Sequence, residues 1–158
     1  MAVDFYLKLD GIEGESTRTG AEKQIALHSW SWGGSQTTTV AGTGGSGAGK
    51  VSLGDFTVTK HFDKSSPALF KSLCSGTHIK TGVFQAIKAG AGDKPFLKIS
   101  FEEMFITSLQ DAASDEVPIE SVSFSYNKIK VEYSTQNEQG ILTAVGAVTW
   151  DTKLAKLS

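Results

Sequence analysis

Residues 95–109 read PFLKISFEEMFITSL, and residues 120–134 read ESVSFSYNKIKVEYS. Apolar and polar side chains alternate in the first half of each stretch, with the period of a half-buried β-strand. The alternation then changes parity, after Phe101 in the first stretch and after Tyr126 in the second. A parity change inside one strand is what a β-bulge produces, and such bends belong to sheets that curl into barrels or sandwiches. The two stretches therefore predict a mainly β fold.

The same alternation runs through five further stretches, and each of them is a predicted strand. They are DFYLKL (4–9), QIALHSWSWGG (24–34), KVSLGDFTVTKHF (50–62), HIKTGVFQAIKA (78–89) and GILTAVGAVTWD (140–151). In the third of them, Phe56, Val58 and Phe62 share the apolar parity. No internal repeat or domain boundary interrupts the pattern, so we expect one mostly antiparallel β domain over residues 1–158.

One short helix is predicted in SSPALFKSLCSG (65–76). Ser66 can cap its N-terminus, Pro67 fits its first position and Gly76 ends it. The apolar side of this helix would consist of Leu69, Phe70 and Leu73. Cys74 is the only cysteine, so the chain has no internal disulfide and no multi-cysteine metal site. We expect it to be a small buried residue of the helix.

The composition excludes several classes of partner. Charged residues are 20% of the 158 residues, the formal net charge is −2 and no basic patch is present, so nucleic acid is not an expected partner. No apolar run has membrane-spanning length, so no membrane insertion is expected. The N-terminus lacks the basic end and apolar block of a signal peptide. We therefore expect the protein to be made in the cytoplasm and, if exported, to avoid the general secretory route.

The stretch GTGGSGAGK (42–50) contains the spacing of a phosphate-binding loop, from Gly44 to Lys50. A nucleotide hydrolase needs Ser or Thr after that lysine to hold Mg²⁺, whereas Val51 has no oxygen. It also needs a helix after the loop, and the residues that follow here alternate like a strand. We therefore interpret the stretch as a long glycine-rich connection between two strands. Loops of that length are either disordered or functional.

No arrangement of side chains indicates catalysis. His28, His61 and His78 lie on different segments, without the spacing of metal ligands. Glu102 and Glu103 are adjacent, so on a strand they point to opposite faces unless a bulge falls between them. No serine lies in a G-x-S-x-G motif. We therefore predict no catalytic, metal or cofactor site, and a binding or structural role instead.

Two predicted strands have large side chains on one face and small polar ones on the other. In ESVSFSY (120–126), three serines alternate with larger residues. In WSW (30–32), Ser31 points away from two tryptophan rings that must be covered. A sheet of this kind can line a water-filled channel, or it can present an ordinary face to solvent.

The chain resembles the haemolysin-coregulated proteins (Hcp), which are the tube subunits of bacterial type VI secretion systems. The similarity runs nearly from end to end and rests on several stretches together. These are DFYLKLDGIEGES (4–16), LHSWSWGGSQ (27–36), GAGKVSLGDFTVTKHFDKSSPALFKSLCSGTH (47–78), FLKISFEEMFITSL (96–109) and VSFSYNKIKVEYS (122–134). The part from residue 136 onward is less distinctive and is expected to be the most variable.

The resemblance implies a fold and an assembly. The fold would be a small antiparallel β-barrel of two sheets with one short flanking helix and a long glycine-rich loop between strands. Six copies would close into a ring, and rings would stack into a tube. A contractile sheath would drive this tube, tipped by a VgrG-type spike protein, out of the cell or into a target cell. Small effector proteins would be carried and protected in its lumen.

The resemblance also implies roles for particular residues. The glycine-rich loop would reach a neighbouring ring, with stacking contacts at Gln36, Thr38, Val40, Gly42, Gly44, Gly45, Gly47, Gly49 and Lys50. Ser31 matches the serine in the W-S-W-G motif of the family and would contact cargo in the lumen. Ser114, in a divergent loop, is a second candidate for cargo contact.

A second hypothesis is a monomeric β-barrel that carries a small ligand. Such a carrier needs an apolar cavity inside the barrel, whereas the inward faces of this sequence are filled by Phe and Leu. The native mass separates the two hypotheses, because only the tube subunit would form a ring.

Overall fold

A computed structural model of the protein describes residues 2–37, 50–89 and 92–158. Within these ranges the chain forms twelve strands and one helix. In chain order they are β1 (Val3–Leu9), β2 (Ile25–Leu27), β3 (Ser29–Ser31), β4 (Gly34–Gln36), β5 (Val51–Leu53), β6 (Phe56–His61), α1 (Ser66–Ser75), β7 (Ile79–Lys88), β8 (Leu97–Ala112), β9 (Ile119–Ser125), β10 (Lys128–Gln136), β11 (Leu142–Asp151) and β12 (Lys156–Leu157).

The long strand β8 joins two antiparallel sheets. Its first half lies between β7 and β10, in a sheet with the order β12-β11-β10-β8-β7-β1-β2. Its second half pairs with β9, which continues through β6 to β3. Strands β4 and β5 form a separate two-stranded hairpin. The prediction of a mainly antiparallel β fold with two sheets and one short helix is confirmed.

The predicted parity change in β8 is confirmed as a bend in the strand. Phe101 and Met104 are both buried, and the two exposed residues between them are Glu102 and Glu103. Glu103 has a φ of 52°, in the left-handed region that residues other than glycine seldom adopt. A second irregularity follows at Thr107, where the pairing of β8 with β9 shifts register. The strand is therefore bent where it passes from one sheet to the other.

The prediction of a single bulged strand over residues 120–134 is wrong. The chain breaks there at Tyr126 and Asn127, and β9 and β10 belong to different sheets. Residues 24–34 likewise divide into β2, β3 and β4, and residues 50–62 divide at Gly54. Strands commonly change sheet at bends and bulges, where the ladder of backbone hydrogen bonds is interrupted. At Tyr126 the break coincides with a parity change, but a bulge inside one strand gives the same pattern, so the sequence does not distinguish the two.

Aromatic rings fill the space between the two sheets. Phe56, Phe84, Phe101 and Phe124 are all almost fully buried. The ring centroids of Phe56 and Phe101 lie 4.8 Å apart, and those of Phe56 and Phe84 lie 5.5 Å apart, within the usual range for packed aromatic pairs. This packing agrees with the expectation that Phe occupies the inward faces.

Helix α1 begins one residue away from its predicted cap. Its N-cap is Ser65, and no side-chain hydrogen bond caps the helix, so the assignment to Ser66 is wrong. It ends as predicted at Gly76, with a φ of 67°. Only one of its three apolar residues, Leu69, is fully buried. Phe70 is 58% exposed and Cys74 is also exposed, which corrects both predictions, because this short helix contacts the barrel along a narrow stripe.

Lys60 on β6 is buried and Phe62 is exposed. Both positions lie on the parity that the sequence pattern assigned to the apolar side of the strand. Lys60 is 1% exposed and Phe62 is 48% exposed. The Lys60 Nζ atom lies 3.0 Å from Ser66 Oγ, 3.2 Å from Glu120 Oε1 and 3.1 Å from Asp63 Oδ1. An ammonium group has three N–H donors, so each has an acceptor. This charged cluster joins the start of α1 to β6 and β9.

Candidate functional site

The β4–β5 hairpin brings together the two described ends of the predicted stacking loop. Gln36 ends β4 and pairs with Val51, and Lys50 directly precedes β5. Both Gln36 and Lys50 are exposed. The other seven residues predicted for stacking lie outside the described ranges; they are Thr38, Val40, Gly42, Gly44, Gly45, Gly47 and Gly49. Val51 starts a strand, which agrees with the argument against a phosphate-binding loop.

A tyrosine holds the base of this hairpin. The Tyr126 hydroxyl oxygen accepts a hydrogen bond from Trp32 Nε1 and donates one to the Gly54 carbonyl at 2.8 Å. Burial raises the pKa of Tyr126, and the hydrogen bond from Trp32 partly opposes that rise. Tyr126 lies at the break between β9 and β10. The hairpin is therefore attached to the corner where the chain changes sheet.

An apolar groove of about 550 Å³ lies between the hairpin and the strands β10 to β12. Its lining combines residues of the hairpin and of the C-terminal strands; they include Trp32, Leu53, Val131, Val148, Trp150 and Leu157. Lys50 and Gln36 also line it. The groove has the size of a small-molecule site, but it lies outside the packed interior of the barrel.

The C-terminal strands expose a large amount of apolar surface. Six large hydrophobic residues here are each at least 46% exposed, and together we call them the C-terminal apolar surface; they are Tyr133, Ile141, Val145, Val148, Leu154 and Leu157. Residues 143–148 of β11 are all exposed. Successive side chains of a strand point to opposite faces, so this part of β11 is covered on neither face. From the sequence, this region was expected only to be the most variable, and the exposed surface was not predicted.

The sheet β3-β6-β9 carries hydroxyl groups on its outer face. Six side chains in cross-strand register make up what we call the hydroxyl face: Ser29, Ser31, Thr57, Thr59, Ser121 and Ser123. Thr57 Oγ1 and Ser123 Oγ lie 2.9 Å apart. The opposite face carries buried residues such as Val58 and Val122. The serines of β9 suggested this face in the sequence, whereas the two threonines of β6 were not singled out.

The two residues predicted to contact cargo lie at different places. Ser31 is exposed and ends β3, while Trp30 and Trp32 are half-buried against the core, as expected from the sequence. Ser31 pairs with Thr57 and so belongs to the hydroxyl face. Ser114 is exposed in the connection between β8 and β9, beyond the last paired residue of β8. The two serines therefore lie in different parts of the structure, one on the hydroxyl face and the other in a loop.

Among the described residues, no cluster of polar side chains has the geometry of a metal-binding site. No group of three or more His, Cys, Asp or Glu side chains among them is placed to hold a metal ion. Glu102 and Glu103 each face a lysine: Glu102 lies 3.7 Å from Lys128, and Glu103 lies 2.8 Å from Lys153. In the same part of the chain, no helix combines the length and hydropathy needed to cross a bilayer.

Solved structures of type VI secretion proteins share this fold. One, described as a type six secretion system protein, matches with a TM-score of 0.93 at 26% identity and covers 99% of this chain and 100% of its own. Hcp1 from Salmonella typhimurium matches with a TM-score of 0.81 at 31% identity and covers 100% of both chains. Fold and sequence together define a protein of the type VI secretion system.

The particular family follows from the sequence matches. The family model described as type VI secretion system effector, Hcp, matches residues 6–133. Protein hcp1 of Pseudomonas aeruginosa is 33% identical over 143 residues, which cover 89% of this chain and 88% of that protein. This chain therefore belongs to the Hcp family, and the resemblance seen in the sequence is confirmed. The family match ends within β10, so β11 and β12 lie beyond it.

Proposed function

We propose that this protein is a structural subunit of the type VI secretion tube. Six copies form a ring, the rings stack into the tube, and small effector proteins are carried and protected in the lumen. The C-terminal apolar surface is the observation that carries this proposal. Large contiguous apolar patches on a folded protein mark interaction sites, and a second copy of the chain is the partner that a ring supplies.

The hydroxyl face supports a role as the wall of the lumen. Its side chains are short, uncharged and able both to donate and to accept hydrogen bonds. A wall of this kind remains hydrated, and it offers no large apolar side chain to which a cargo protein could bind strongly. Ser31, on this face, is the first candidate for cargo contact, and Ser114 is the second. Family membership supports the role but assigns no cargo.

The β4–β5 hairpin supports the stacking role. Its strands pair with neither main sheet, and it presents the described ends of the glycine-rich loop, Gln36 and Lys50, at one exposed end. In the proposed role, the loop that this hairpin carries would contact a neighbouring ring. We therefore keep residues 36–50 as the proposed stacking contacts.

The remaining partners follow from the same role. The tube is made in the bacterial cytoplasm and is exported by the type VI system to the outside or into a target cell. A VgrG-type spike protein would cap it and a contractile sheath would surround it. The role is mechanical rather than enzymatic, and it requires no cofactor, no nucleic acid and no insertion into a membrane.

The apolar groove favours one alternative. A monomeric carrier could bind a small apolar ligand between the hairpin and β10 to β12, rather than inside the barrel as expected from sequence. The cavity of about 550 Å³ is large enough for such a ligand. In this alternative a ligand would cover Val148 and Leu157, which line the groove, but the other four residues of the C-terminal apolar surface would remain exposed to water in the monomer, which folded proteins tend to avoid.

The native mass of the purified protein tests the proposal. Light scattering on a sizing column, with negative-stain images of the same fractions, should show rings with about six times the subunit mass of 16.8 kDa. A stable monomer would contradict ring assembly. A titration of that monomer with an apolar fluorescent dye would then test the groove as a ligand site.

A further inference from the structure

The angle between the β4–β5 hairpin and the barrel is not set by any strand ladder among the described residues. Strand β4 pairs with β5, and neither pairs with the main sheets. The base of the hairpin is rich in glycine: Gly33 and Gly34 lie at the start of β4, and Gly54 follows β5. Glycine restricts the backbone least of all residues. The direction of the hairpin must therefore be fixed by contacts outside its own backbone.

Both ends of the hairpin meet at one phenol oxygen. Trp32 lies two residues before β4 and donates its indole N–H to Tyr126, and Gly54 lies directly after β5 and accepts from Tyr126. The Tyr126 ring packs on Phe101, with centroids 5.1 Å apart. Phe101 is 1% exposed. The two hydrogen bonds, which we call the Tyr126 link, therefore connect the hairpin base to the rigid core.

A neighbouring contact ties the chain to the same corner. Thr107 Oγ1 donates a hydrogen bond to Asp55 Oδ2 at 2.6 Å. Asp55 follows Gly54, and Thr107 is the bulged residue of β8. A hydroxyl–carboxylate bond of this length is a strong one, because the acceptor is charged. The exit of the hairpin is thus held from two sides.

We propose that Tyr126 is a positioning residue, which through Trp32 and Gly54 fixes the direction of the β4–β5 hairpin and so the place where this hairpin meets a neighbouring ring. This proposal rests on the proposed stacking role of the hairpin. In this role Tyr126 acts through the hairpin.

The variant Tyr126→Phe tests this inference, because it keeps the ring against Phe101 and removes only the linking oxygen. We expect six-membered rings of unchanged native mass and a melting temperature lower by only about 2–4 °C. The amide hydrogens of β5 should exchange with solvent at least about fivefold faster. The loss of roughly one net hydrogen bond raises the equilibrium constant for local opening by about this factor. The fraction of rings in tubes, measured by sedimentation and negative stain, should fall by a similar factor.

Tyr6→Phe is the matched control. It removes a hydroxyl from a tyrosine of β1 that packs in a separate buried cluster with Ala21 and Ile87, away from the hairpin and from the C-terminal apolar surface. Its β5 amides should exchange at the wild-type rate and its rings should sediment as wild-type tubes. If Tyr126→Phe also shows wild-type exchange, the Tyr126 link does not hold the hairpin and the inference is overturned.

Deleting residues 40–48 separates a failure of this inference from a failure of the stacking role. If the deletion variant still forms tubes, the stacking role itself is wrong. If the deletion abolishes tubes while Tyr126→Phe exchanges fast and still forms tubes, the stacking role stands. In that case Tyr126 holds the hairpin but does not position it for stacking, which again overturns the inference.

Discussion

Glu120 is a buried carboxyl group, and only one of its two oxygens has a hydrogen-bond partner among the described residues. Lys60 Nζ bonds to Oε1 at 3.2 Å, whereas Oε2 is buried without a hydrogen-bond partner among the described residues. Burial is the main cause that raises the pKa of Glu120, the neighbouring Asp111 carboxyl adds to the rise, and Lys60 opposes it. Asp111 lies directly opposite Glu120 on β8. A protonated Glu120 would have an O–H group at Oε2, which could donate a hydrogen bond to the Asp111 carboxylate.

We expect Glu120→Gln to remove part of the pH dependence of stability. A raised pKa means that the folded state binds the proton more tightly than the unfolded state. The resulting stabilisation is fully present below the ordinary pKa of 4.5 and is lost as the pH rises through the raised value. Glutamine resembles the protonated form, so the unfolding free energy of the variant relative to the wild type should increase from pH 4.5 towards neutrality in urea titrations.

The control for this experiment is Glu116→Gln, in the exposed connection between β8 and β9. Its difference from the wild type should not vary in this way. If Glu120→Gln instead loses stability relative to the wild type as the pH rises, the ionised pair with Lys60 outweighs burial, and the direction argued for the Glu120 pKa is wrong.

Ser31 gives a prediction about cargo. Replacing it with glutamine adds a longer polar side chain to an exposed position of the hydroxyl face, so the fold and the ring should be unchanged. If this face lines the lumen, the longer side chain should reduce the amount of cognate effector retained by purified rings. The measurement is mass spectrometry of small proteins that copurify with the ring. Retention at the wild-type level would remove Ser31 from the cargo contacts.

At the scale of single residues, the sequence predicted exposure better than burial. Ser31 opposite two tryptophans is a local consequence of strand alternation, so it could be predicted. The burial of Lys60 depends on Glu120, sixty positions away, and on the start of α1. The alternation of side chains along β6 does not depend on such distant contacts. This is why the burial of Lys60 was missed and Phe62 was wrongly placed.

At the scale of elements, the β4–β5 hairpin carries the clearest prediction. Deleting residues 40–48 leaves every β4–β5 pair in place, because these pairs end at Gln36 and Val51. The rings should therefore keep their native mass. Tubes counted by negative stain, and the amount of protein secreted into culture medium, should fall strongly. A deletion variant that builds full-length tubes would show that stacking depends on another surface.

The bends of the strands could be predicted from sequence, but their consequences could not. The parity change near Glu103 correctly predicted a bend in β8. The similar change near Tyr126 is a break between two strands of different sheets. Both patterns look the same along the chain, because which sheet a strand joins depends on pairing partners far away in sequence.

At the scale of the whole molecule, the C-terminal apolar surface should decide whether the protein is a ring or a monomer. Val148 is 53% exposed on β11. Val148→Lys should change the stability of the monomer by at most about 0.5 kcal/mol. It should nevertheless disrupt the ring, because burying an unpaired charge in an interface is costly. Light scattering should then give a mass near 16.8 kDa.

Phe70→Lys is the matched control for this variant. Phe70 is 58% exposed on α1, outside the C-terminal apolar surface, and its replacement should leave the ring intact. If Val148→Lys still forms rings of the wild-type mass, the subunits do not meet through this surface.

The family and the architecture could be predicted from sequence, whereas the assembly surface could not. Strand periods and several motifs in combination were sufficient for the fold and for the resemblance. The exposure of Val145 and Val148 has no such signature. Their alternation resembles that of any half-buried strand, and only the structure shows that residues 143–148 of β11 are exposed one after another.

The hydroxyl face has a consequence for selectivity. A surface of serine and threonine carries no fixed charge, so it neither concentrates nor repels passengers according to the sign of their charge. If it lines the tube, the bore acts as a size filter: a compact acidic protein and a compact basic protein of equal diameter pass equally well. Choice among passengers would then depend on their dimensions and compactness rather than on their isoelectric points.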